Sequence, residues 1–409
     1  MKRLCFSCLL GMLCWLAILS GCSQENEAKN QDWLAADWGQ VEAAAKGTTV
    51  RWYMWGGDHK INRWGDTYVA AQLKDRYDIT LIRVPMDANV FVNKLLTEKS
   101  AGKKDGSIDL LWINGENFKN AKEGNLLFGP YADKLPNFTQ YVEQRLVKHD
   151  FGYPVNGYET PYGWAQFVFG YDAVRTHEPP RSFAALTKWV KKHPGRFTYP
   201  QPPDFTGSAF IRQAFYAVTG GAEQYLKGFD AALFDKQAPK LWAYLNEIKP
   251  YLWQEGKAYP KDVGALDSLF ERGEVDVTMS YHPLHVQNKI LDGAFPSSVL
   301  SYVMAEGSIF NLHFTAIPFN AQNKPGAMVT ANFLMSPEAQ LSKLDPHNWG
   351  DFPAIAMDKI SQDQRDKFNA LDLGASTLSP EKLSASAVPE IPAAYLEKLE
   401  KGWDENVLH

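Results

Sequence analysis

An apolar run from Tyr162 to Tyr171 divides the chain into two differently patterned halves. The run is largely aromatic and β-branched, with Pro161 before it and Asp172 after it. This pattern predicts a strand that is buried on both faces, unlike a surface strand of alternating polarity. We interpret the run as a crossover between two α/β lobes, which would put its aromatic side chains on the floor of a cleft. A central strand of one large domain fits the same periodicity.

The half before this run alternates between helical and strand periodicity. Strands alternating with helices indicate βαβ units and a mostly parallel sheet. The pattern predicts strands at 48–54, 79–84 and 108–113, and helices near 31–46, 62–76, 88–100 and after Asn114.

The half after the run repeats this organisation and then becomes helical from about residue 327. A helical tail buries its apolar face only by packing on a lobe that already exists. We predict strands at 196–199, 275–281, 298–304 and 311–319, and helices near 182–192, from 206, within 222–253, at 261–272 and at 327–344.

These patterns predict an α/β fold of two lobes, each a mostly parallel sheet flanked by helices, joined by interlobe crossover strands. We assign 31–163 together with 315–409 to lobe 1, and 164–314 to lobe 2. The 409 residues, of which 45% are hydrophobic, exceed what one core usually fills.

The first 21 residues have the organisation of a secretory signal peptide. Lys2 and Arg3 form a positive start, and the apolar stretch that follows ends in Leu19-Ser20-Gly21-Cys22. The stretch is too short for a permanent membrane span. Residues 22–30 are polar and are predicted to be a tether between the membrane and the folded body.

Cysteine usage and charge exclude several classes of function. The four cysteines are Cys5, Cys8, Cys14 and Cys22, so a chain cleaved before Cys22 has no thiol for an internal disulfide, a catalytic nucleophile or a thiolate metal site. The formal charge is −5, and it becomes −7 once Lys2 and Arg3 are removed. An acidic chain argues against nucleic acid as a partner.

A cleft between α/β lobes binds its ligand at the carboxyl ends of strands and at helix N-termini, where free backbone N–H groups and the helix dipole face the ligand. Three loops occupy such positions: Trp55-Gly56-Gly57-Asp58, Asn114-Gly115-Glu116-Asn117 and Pro203-Asp204-Phe205-Thr206-Gly207-Ser208.

Each loop has a ligand-binding and a structural interpretation. Glycines after Trp55 let the backbone approach a ligand, and Asp58 adds charge, but a tight turn fits as well. Asn114 and Glu116 offer an amide and a carboxylate, or cap a helix. The hydroxyls of the third loop bind an anionic group or cap the helix that follows.

Further candidates come from the crossover and from two later segments. The crossover contributes Tyr162, Trp164 and Gln166. Tyr281 follows a predicted strand and is either a ligand platform or a core tyrosine. Trp349 lies in a polar loop, where packing gives an indole little reason to be, so we favour a ligand role.

Signatures of catalysis and metal binding are missing from the sequence. None of G-x-S-x-G, H-E-x-x-H, G-x-x-x-x-G-K or G-x-G-x-x-G occurs. His282 and His285 have a spacing that can share a helix face, but no further ligand accompanies them. We therefore predict no catalytic residue, no cofactor and no metal. An exported hydrolase built from scattered residues is the alternative from another class.

Several segments together resemble bacterial extracellular solute-binding proteins. Leu19-Ser20-Gly21-Cys22 resembles a lipobox. The stretches Leu269–Tyr281 and Phe333–Gln340 resemble the Arg-Gly-Glu-strand and Phe-Leu-Met-Ser-Pro-Glu-x-Gln segments of that family. Within it, the chain looks most similar to the YnjB-type branch and to periplasmic thiamine-binding proteins, through Pro161-Tyr162-Gly163-Trp164, Thr206-Gly207, Ser280-Tyr281 and Asn348-Trp349.

The resemblance implies an exported lipoprotein, anchored to the membrane through Cys22, that binds a small polar or cationic solute and delivers it to an ABC transporter permease. It implies that Tyr281 and Trp349 lie against the rings of the ligand and that the Thr206 loop faces a phosphate. The paired tyrosines of iron-binding relatives are missing, because His282 follows Tyr281.

We expect a monomer whose lobes close over thiamine or a thiamine phosphate. A polyamine held by Asp58 and Glu116, an anion held by Thr206 and Ser208, or a sugar are the alternatives.

Overall fold

The computed structural model describes residues 31–409, which form an α/β structure with two main sheets. The predicted signal peptide 1–21 and the tether 22–30 with Cys22 lie outside the described residues. Within 31–409, no helix is long and apolar enough to cross a membrane.

The strands reproduce most of the predicted pattern, with boundaries shifted by a few residues. They are β1 (Thr49–Met54), β2 (Thr80–Pro85), β3 (Leu110–Ile113), β4 (Leu127–Phe128), β5 (His149–Asp150), β6 (Tyr153–Pro154), β7 (Thr160–Gln166), β8 (Val168–Asp172), β9 (Val277–Ser280), β10 (Val299–Tyr302), β11 (Ser308–Pro318) and β12 (Ala387–Pro389).

The α-helices cover the sheets and the C-terminal part of the chain. They are α1 (Trp38–Ala45), α2 (His59–Arg63), α3 (Ala70–Tyr77), α4 (Ala88–Ser100), α5 (Gly115–Glu123), α6 (Pro136–Tyr141), α7 (Phe183–Lys192), α8 (Phe205–Thr219), α9 (Ala231–Ile248), α10 (Val263–Glu271), α11 (His285–Leu291), α12 (Lys324–Leu334), α13 (Pro337–Leu344), α14 (Gln362–Asn369), α15 (Pro380–Ser386) and α16 (Ala393–Trp403).

Short polar side chains determine where many of these helices begin. Asp37 caps α1 and forms a capping box with Gln40. Ser182, Asp204 and Asp262 accept hydrogen bonds from the first-turn N–H groups of α7, α8 and α10. Such caps satisfy N–H groups that have no partner inside the helix.

The two sheets differ in strand direction. In the first sheet, with the order β12-β11-β3-β1-β2, β1 is parallel to β2 and β3, as predicted, whereas β11 is antiparallel to β3 and β7. The second sheet, β10-β8-β9, is antiparallel throughout, so the prediction of a mostly parallel sheet in both lobes was wrong for lobe 2.

A second correction concerns the segment 196–199, which was predicted to be a strand of lobe 2 and is not one. It runs directly into Pro200, Pro202 and Pro203. A proline has no N–H group to donate to a neighbouring strand, so a proline-rich segment does not continue a sheet.

The crossover prediction is confirmed. β7 pairs with β11 in the first sheet, whereas β8, which begins two residues after the end of β7, pairs with β9 and β10 in the second. The residue between the two strands, Phe167, is fully buried. The chain therefore passes from one lobe to the other at Phe167.

The C-terminal helix contacts lobe 2 as well as lobe 1. We assigned 315–409 to lobe 1, and β12 does pair with β11. However, Tyr395, Leu399 and Trp403 of α16 belong to the apolar core that contains the second sheet. The indole N–H of Trp403 donates to the hydroxyl of Tyr199 at 3.0 Å. An amphipathic helix packs wherever its apolar stripe finds a complementary surface. Here α16 packs on lobe 2 through its aromatic side chains, and it also contacts lobe 1, where the N–H of Ala393 donates to the carbonyl of Phe151 at 3.1 Å.

Candidate functional site

The pairing of β7 with β11 determines which side chains face the space between the lobes. Residues opposite each other in an antiparallel pair point to the same face, and the faces alternate along each strand. Asn311 pairs with Ala165 and His313 pairs with Gly163, so these four residues share one face, which we call the cleft floor. The ring of Phe167 continues this face and lies 6.2 Å from the ring of Tyr281 in lobe 2.

Trp164 and Gln166 lie on the opposite face, so they are not together with the other predicted ligand residues. Their partners in β11 are Leu312 and Phe310. Trp164 stacks on Phe310 with ring centroids 5.0 Å apart. The amide of Gln166 donates to the carbonyl of Leu383 at 2.9 Å. Sequence reasoning took the crossover as one unit and did not separate its two faces.

Tyr162 joins the cleft floor through an irregularity in the pairing. The register shifts between His313 and Phe314, so that Tyr162 is an extra residue in β7. Its ring lies 5.8 Å from the imidazole of His313. Its hydroxyl is buried and has no hydrogen-bond partner within residues 31–409.

An aromatic and ionic cluster closes one end of the floor. Trp349 stacks on His313 at 5.7 Å and is surrounded by Trp64, Trp112 and Tyr162. It is 1% exposed, so our expectation that this indole does not serve packing was wrong. The loop folds the indole inward, although the residues around it in sequence are polar.

A buried ion pair lies next to this cluster. The ammonium of Lys343 is 2.5 Å from a carboxylate oxygen of Asp351, and Nε2 of His313 is 3.3 Å from the other. Although burial raises the pKa of Asp351, Lys343 and His313 hold it below its ordinary value. A Cβ atom on Gly163 would lie 2.1 Å from the same carboxylate, so only glycine fits here.

The other end of the floor carries an excess of carboxylates, which we call the carboxylate cluster. Its members are Glu116, Asp150, Glu390 and Glu400, around the single guanidinium of Arg212. Arg212 donates to both oxygens of Glu390 at 2.8 and 2.9 Å. One oxygen of Asp150 accepts from the N–H of Gly115 at 2.5 Å, whereas its other oxygen has no partner in the described part of the chain.

Predicted residues from both lobes meet at this cluster. The hydroxyl of Tyr281 donates to Glu390 at 2.6 Å, and that of Ser208 donates to Glu400 at 2.5 Å. Glu116 has only Asn117 as a side-chain partner among the described residues. Asn114 precedes it with an extended backbone and does not cap the helix with its side chain. The structure thus brings three of the predicted ligand residues together at the carboxylate cluster: Glu116, Ser208 and Tyr281.

Burial and mutual repulsion change the acidity of the cluster. Burial raises the pKa values of Glu116 and Glu400, and that of Asp150 well above its ordinary value. The charge of Glu400 adds to the shift of Glu116, and the charges of Glu116 and Glu390 add to that of Asp150. A cation placed among these groups would therefore stabilise their ionised forms.

In the third predicted loop, backbone groups are engaged in helix capping and packing. The backbone N–H groups of Thr206 and Gly207 donate to the capping carboxylate of Asp204. A Cβ atom on Gly207 would lie 1.9 Å from the carbonyl oxygen of Pro200, so glycine is needed for packing. Phe205 remains 42% exposed, with its ring 5.1 Å from that of Tyr281.

The first predicted loop lies at the edge of the cleft. Trp55 is 44% exposed, and Gly57 lies against its indole. Asp58 accepts from the N–H groups of Lys60 and Ile61 and so caps α2. Gly56 is held close to Pro85, where a side chain would clash.

An ion pair connects the two lobes beside this loop. The buried ammonium of Lys60 is 3.3 Å from Asp292, at the end of α11, and also donates to the carbonyl of Pro346. His282 lies near Asp58 and Asp351, and its Nδ1 accepts from the N–H of Leu284.

The two histidines with helical spacing, His282 and His285, have separate partners. His285 is bound to Asp267 at 2.9 Å, not to His282. Over residues 31–409, no group of three or more histidine, cysteine, aspartate or glutamate side chains is arranged to hold a metal ion.

Sequence reasoning missed Arg212, Glu390, Glu400, Asp150 and Asn311. Arg212 left a signal, because it is the single charged residue in the apolar helix α8. Glu390 and Glu400 left no signal in the sequence, because they reach the cleft only through the packing of the C-terminal segment on lobe 2.

The comparison with known proteins accounts for this two-lobed arrangement. The family model described as "Bacterial extracellular solute-binding protein" matches residues 68–356. The chain belongs to that family. The solute-binding protein is 42% identical to Protein YnjB of Escherichia coli strain K12 over 339 residues, which cover 82% of this chain and 87% of YnjB.

More distant relatives share the fold and part of the sequence. The spermidine/putrescine-binding periplasmic protein of Escherichia coli strain K12 is 26% identical over 252 residues, 60% of this chain and 64% of that protein. The solved structure of a periplasmic thiamin binding protein is 17% identical and superposes with a TM-score of 0.57, covering 88% of this chain and 96% of its own. The predicted resemblance and the two-lobed fold are thereby confirmed.

The family assignment determines the general role of the protein. It is an extracytoplasmic solute-binding protein of the ABC transporter type, which delivers a small molecule to a permease. Its family and its structural neighbours are transport proteins that bind a substrate, not enzymes.

The buried His282 predicts a dependence of stability on pH. Burial lowers its pKa to about 4, whereas an unfolded histidine titrates near 6.5. The unfolded chain therefore takes up a proton first, and the stability that depends on neutral His282 is lost as the pH falls from about 6.5 to about 4. We expect the unfolding free energy of the wild type to decrease, relative to that of His282→Gln, by about 2 kcal/mol between pH 7.5 and 4.5.

Urea denaturation at both pH values measures this difference. His347→Gln is the matched control, because His347 is exposed. If the free energies of the wild type and of His282→Gln change in parallel with pH, His282 is not buried in its neutral form.

Proposed function

We propose that this solute-binding protein captures a small organic cation between its lobes. The observation that carries the proposal is the carboxylate cluster. It places four carboxyl groups around one guanidinium, and both lobes contribute to it. Burial raises the pKa values of three of the four, and neighbouring carboxylates add to the shift, so a cation bound here would stabilise their ionised forms.

The distribution of donors argues against an anionic ligand. The hydroxyl of Ser208 donates to Glu400, and the N–H groups of Thr206 and Gly207 donate to Asp204. The groups that would have bound a phosphate are thus already engaged. An added anion would also meet the like charges of the cluster, which costs several kcal/mol across an interface.

Two exposed aromatic rings suit a cation with an apolar or aromatic body. Phe205 adjoins the carboxylate cluster, and Trp55 lies at the cleft edge. A cation over such a ring gains about 0.5 to 2 kcal/mol. Thiamine has a cationic ring of this kind, and free thiamine suits the cluster better than its phosphates do. Polyamines are the second candidate, and the relative that binds spermidine and putrescine also has an organic cation as its ligand.

Capture would occur by closure of the lobes. A ligand that touches Glu116 in lobe 1 and the Tyr281 region in lobe 2 favours the closed state, because only that state makes both contacts. The ion pair between Lys60 and Asp292 would add to the closed state at the edge of the cleft. Binding would be stoichiometric, without turnover.

Calorimetry on the mature protein tests the proposal with thiamine, thiamine monophosphate, putrescine, spermidine, glucose and sulfate. We expect an organic cation to bind more tightly than the sugar and the anion. We expect Glu116→Gln to weaken that binding about tenfold, because a hydrogen bond to a charged group is lost. Glu116 is suited to the test because its substitution breaks no buried ion pair.

The control is Glu123→Gln, an exposed position on the same helix, α5. It should leave the affinity unchanged. Tighter binding of glucose or sulfate than of every cation, or equal affinities of Glu116→Gln and wild type for the bound cation, would contradict the proposal.

We also propose that Cys22 becomes the lipidated first residue and anchors the protein to the membrane. The support is the tetrapeptide Leu19-Ser20-Gly21-Cys22 at the end of the apolar stretch. The polar residues up to Asn30 then separate the anchor from the folded body. A single acyl chain gives only weak attachment, so the anchor requires more than one.

Fractionation of a bacterial host that expresses the full chain tests the anchor. We expect the wild type in the membrane fraction, from which detergent but not salt releases it, because acyl chains hold it there. Cys22→Ser should appear in the soluble exported fraction. A variant that stays with the membrane would show that the attachment does not depend on Cys22.

A further inference from the structure

Asn311 is a buried amide with no visible structural role. It lies on the cleft floor between Ile309 and His313 and is 7% exposed. Neither its Oδ1 nor its Nδ2 has a hydrogen-bond partner among residues 31–409. Buried polar side chains are nearly always hydrogen-bonded, because an unsatisfied one is destabilising.

The surroundings of Asn311 connect it to the candidate site. Asn311, Asp150 and Glu390 line a common cavity of about 270 Å³, to which Phe310, Leu312 and Phe314 of β11 also contribute. This volume is many times that of one water molecule and approaches the size of small ligand pockets. Asp150, which lines the same cavity, has one carboxylate oxygen that is buried without a partner among residues 31–409. A buried amide and a buried carboxylate oxygen, both without a partner among residues 31–409, therefore belong to residues that line one cavity.

The chemistry of an amide selects a particular kind of ligand group. A carboxamide presents an acceptor and a donor side by side in one plane. It is satisfied by a ligand edge with a donor next to an acceptor, such as a ring nitrogen beside an amino group, which is how asparagine binds adenine. The ammonium groups of a polyamine offer donors alone and leave Nδ2 without a partner. A carboxylate offers acceptors alone and leaves Oδ1 without one.

We propose that Asn311 is a specificity-determining residue that pairs with the donor–acceptor edge of an amino-substituted nitrogen heterocycle on the bound cation. The inference rests on the proposed function and narrows it to cations that carry such a ring. The carboxylate cluster attracts the charged part of the ligand. Asn311 selects, among such cations, those whose uncharged part has a donor–acceptor edge.

Two ligands of equal charge test the role of the amide. Thiamine carries an aminopyrimidine ring, whereas its N-benzyl thiazolium analogue has a plain phenyl ring at that position. We expect the wild type to bind thiamine at least about tenfold more tightly than the analogue, because the phenyl ring leaves the amide unsatisfied. Asn311→Leu should bring the two affinities to within about threefold. Asn369→Leu, at an exposed position, should keep the wild-type ratio.

Stability without ligand gives a second readout. Asn311→Leu removes a buried amide that has no partner, so its melting temperature should equal or exceed that of the wild type. A structural asparagine would give the opposite result. A clear loss of stability in Asn311→Leu would therefore contradict the proposal, even if the variant no longer binds.

The outcomes separate this inference from the proposed function. If organic cations bind through Glu116 but the ratio of the two affinities is the same in Asn311→Leu and wild type, the role of Asn311 is refuted and the cation site stands. The same holds if putrescine binds more tightly than thiamine. If no cation binds, the proposed function fails first.

Discussion

The alternation of side chains along the paired crossover strands is the constraint on which the rest of the structure depends. β7 and β11 send Gly163, Asn311 and His313 to the cleft and Trp164 and Phe310 to the opposite face. A slip of one residue would exchange the two faces. In the observed register Gly163 lies against Asp351, where any side chain would collide with the carboxylate.

The cleft keeps polar groups that the folded protein alone does not satisfy. The Tyr162 hydroxyl, the Asn311 amide and one oxygen of Asp150 are buried without partners in the described chain. Such groups reduce the stability of the unliganded protein, and a ligand that satisfies them recovers that free energy as affinity. Tyr162 lies in the aromatic core of lobe 1, against Trp52 and Trp112. Asn311 and Asp150 line a cavity with Leu226 of lobe 2, so closure over a ligand there would satisfy their unpartnered atoms. This is the physical link between the fold and the capture of a solute.

Local sequence signals predicted the elements of this fold well where local chemistry decides the structure. Helix α4 was predicted with its observed bounds, because Phe91, Val92 and Leu95 recur at helical spacing and are buried. The crossover was predicted because a run that is apolar on both faces has few other places in a fold. In contrast, the segment 196–199 has a strand composition, but the prolines after it remove the donors that a strand requires.

The site was predictable only in part, because much of it is assembled by contacts between distant segments. Glu116 and Tyr281 follow strands, where the general rule for α/β folds applies. Glu390 reaches Arg212 from a position 178 residues away in sequence. Trp349 was predicted to lie at the cleft because its loop is polar. It does lie beside the cleft floor, but as a packed core residue. Composition and spacing carry no information about such long-range partners.

Closure of the two lobes over an organic cation is the central claim, and a distance between the lobes measures it directly. The chain after Cys22 contains no cysteine, so spin labels at Val90→Cys in lobe 1 and Val174→Cys in lobe 2, in a Cys22→Ser background, report one distance. Both positions are exposed. We expect the distribution of distances between the two labels to be broad without ligand, and to become narrower and shift when a saturating cation binds. An unchanged distribution with a cation that calorimetry shows to be bound would contradict it.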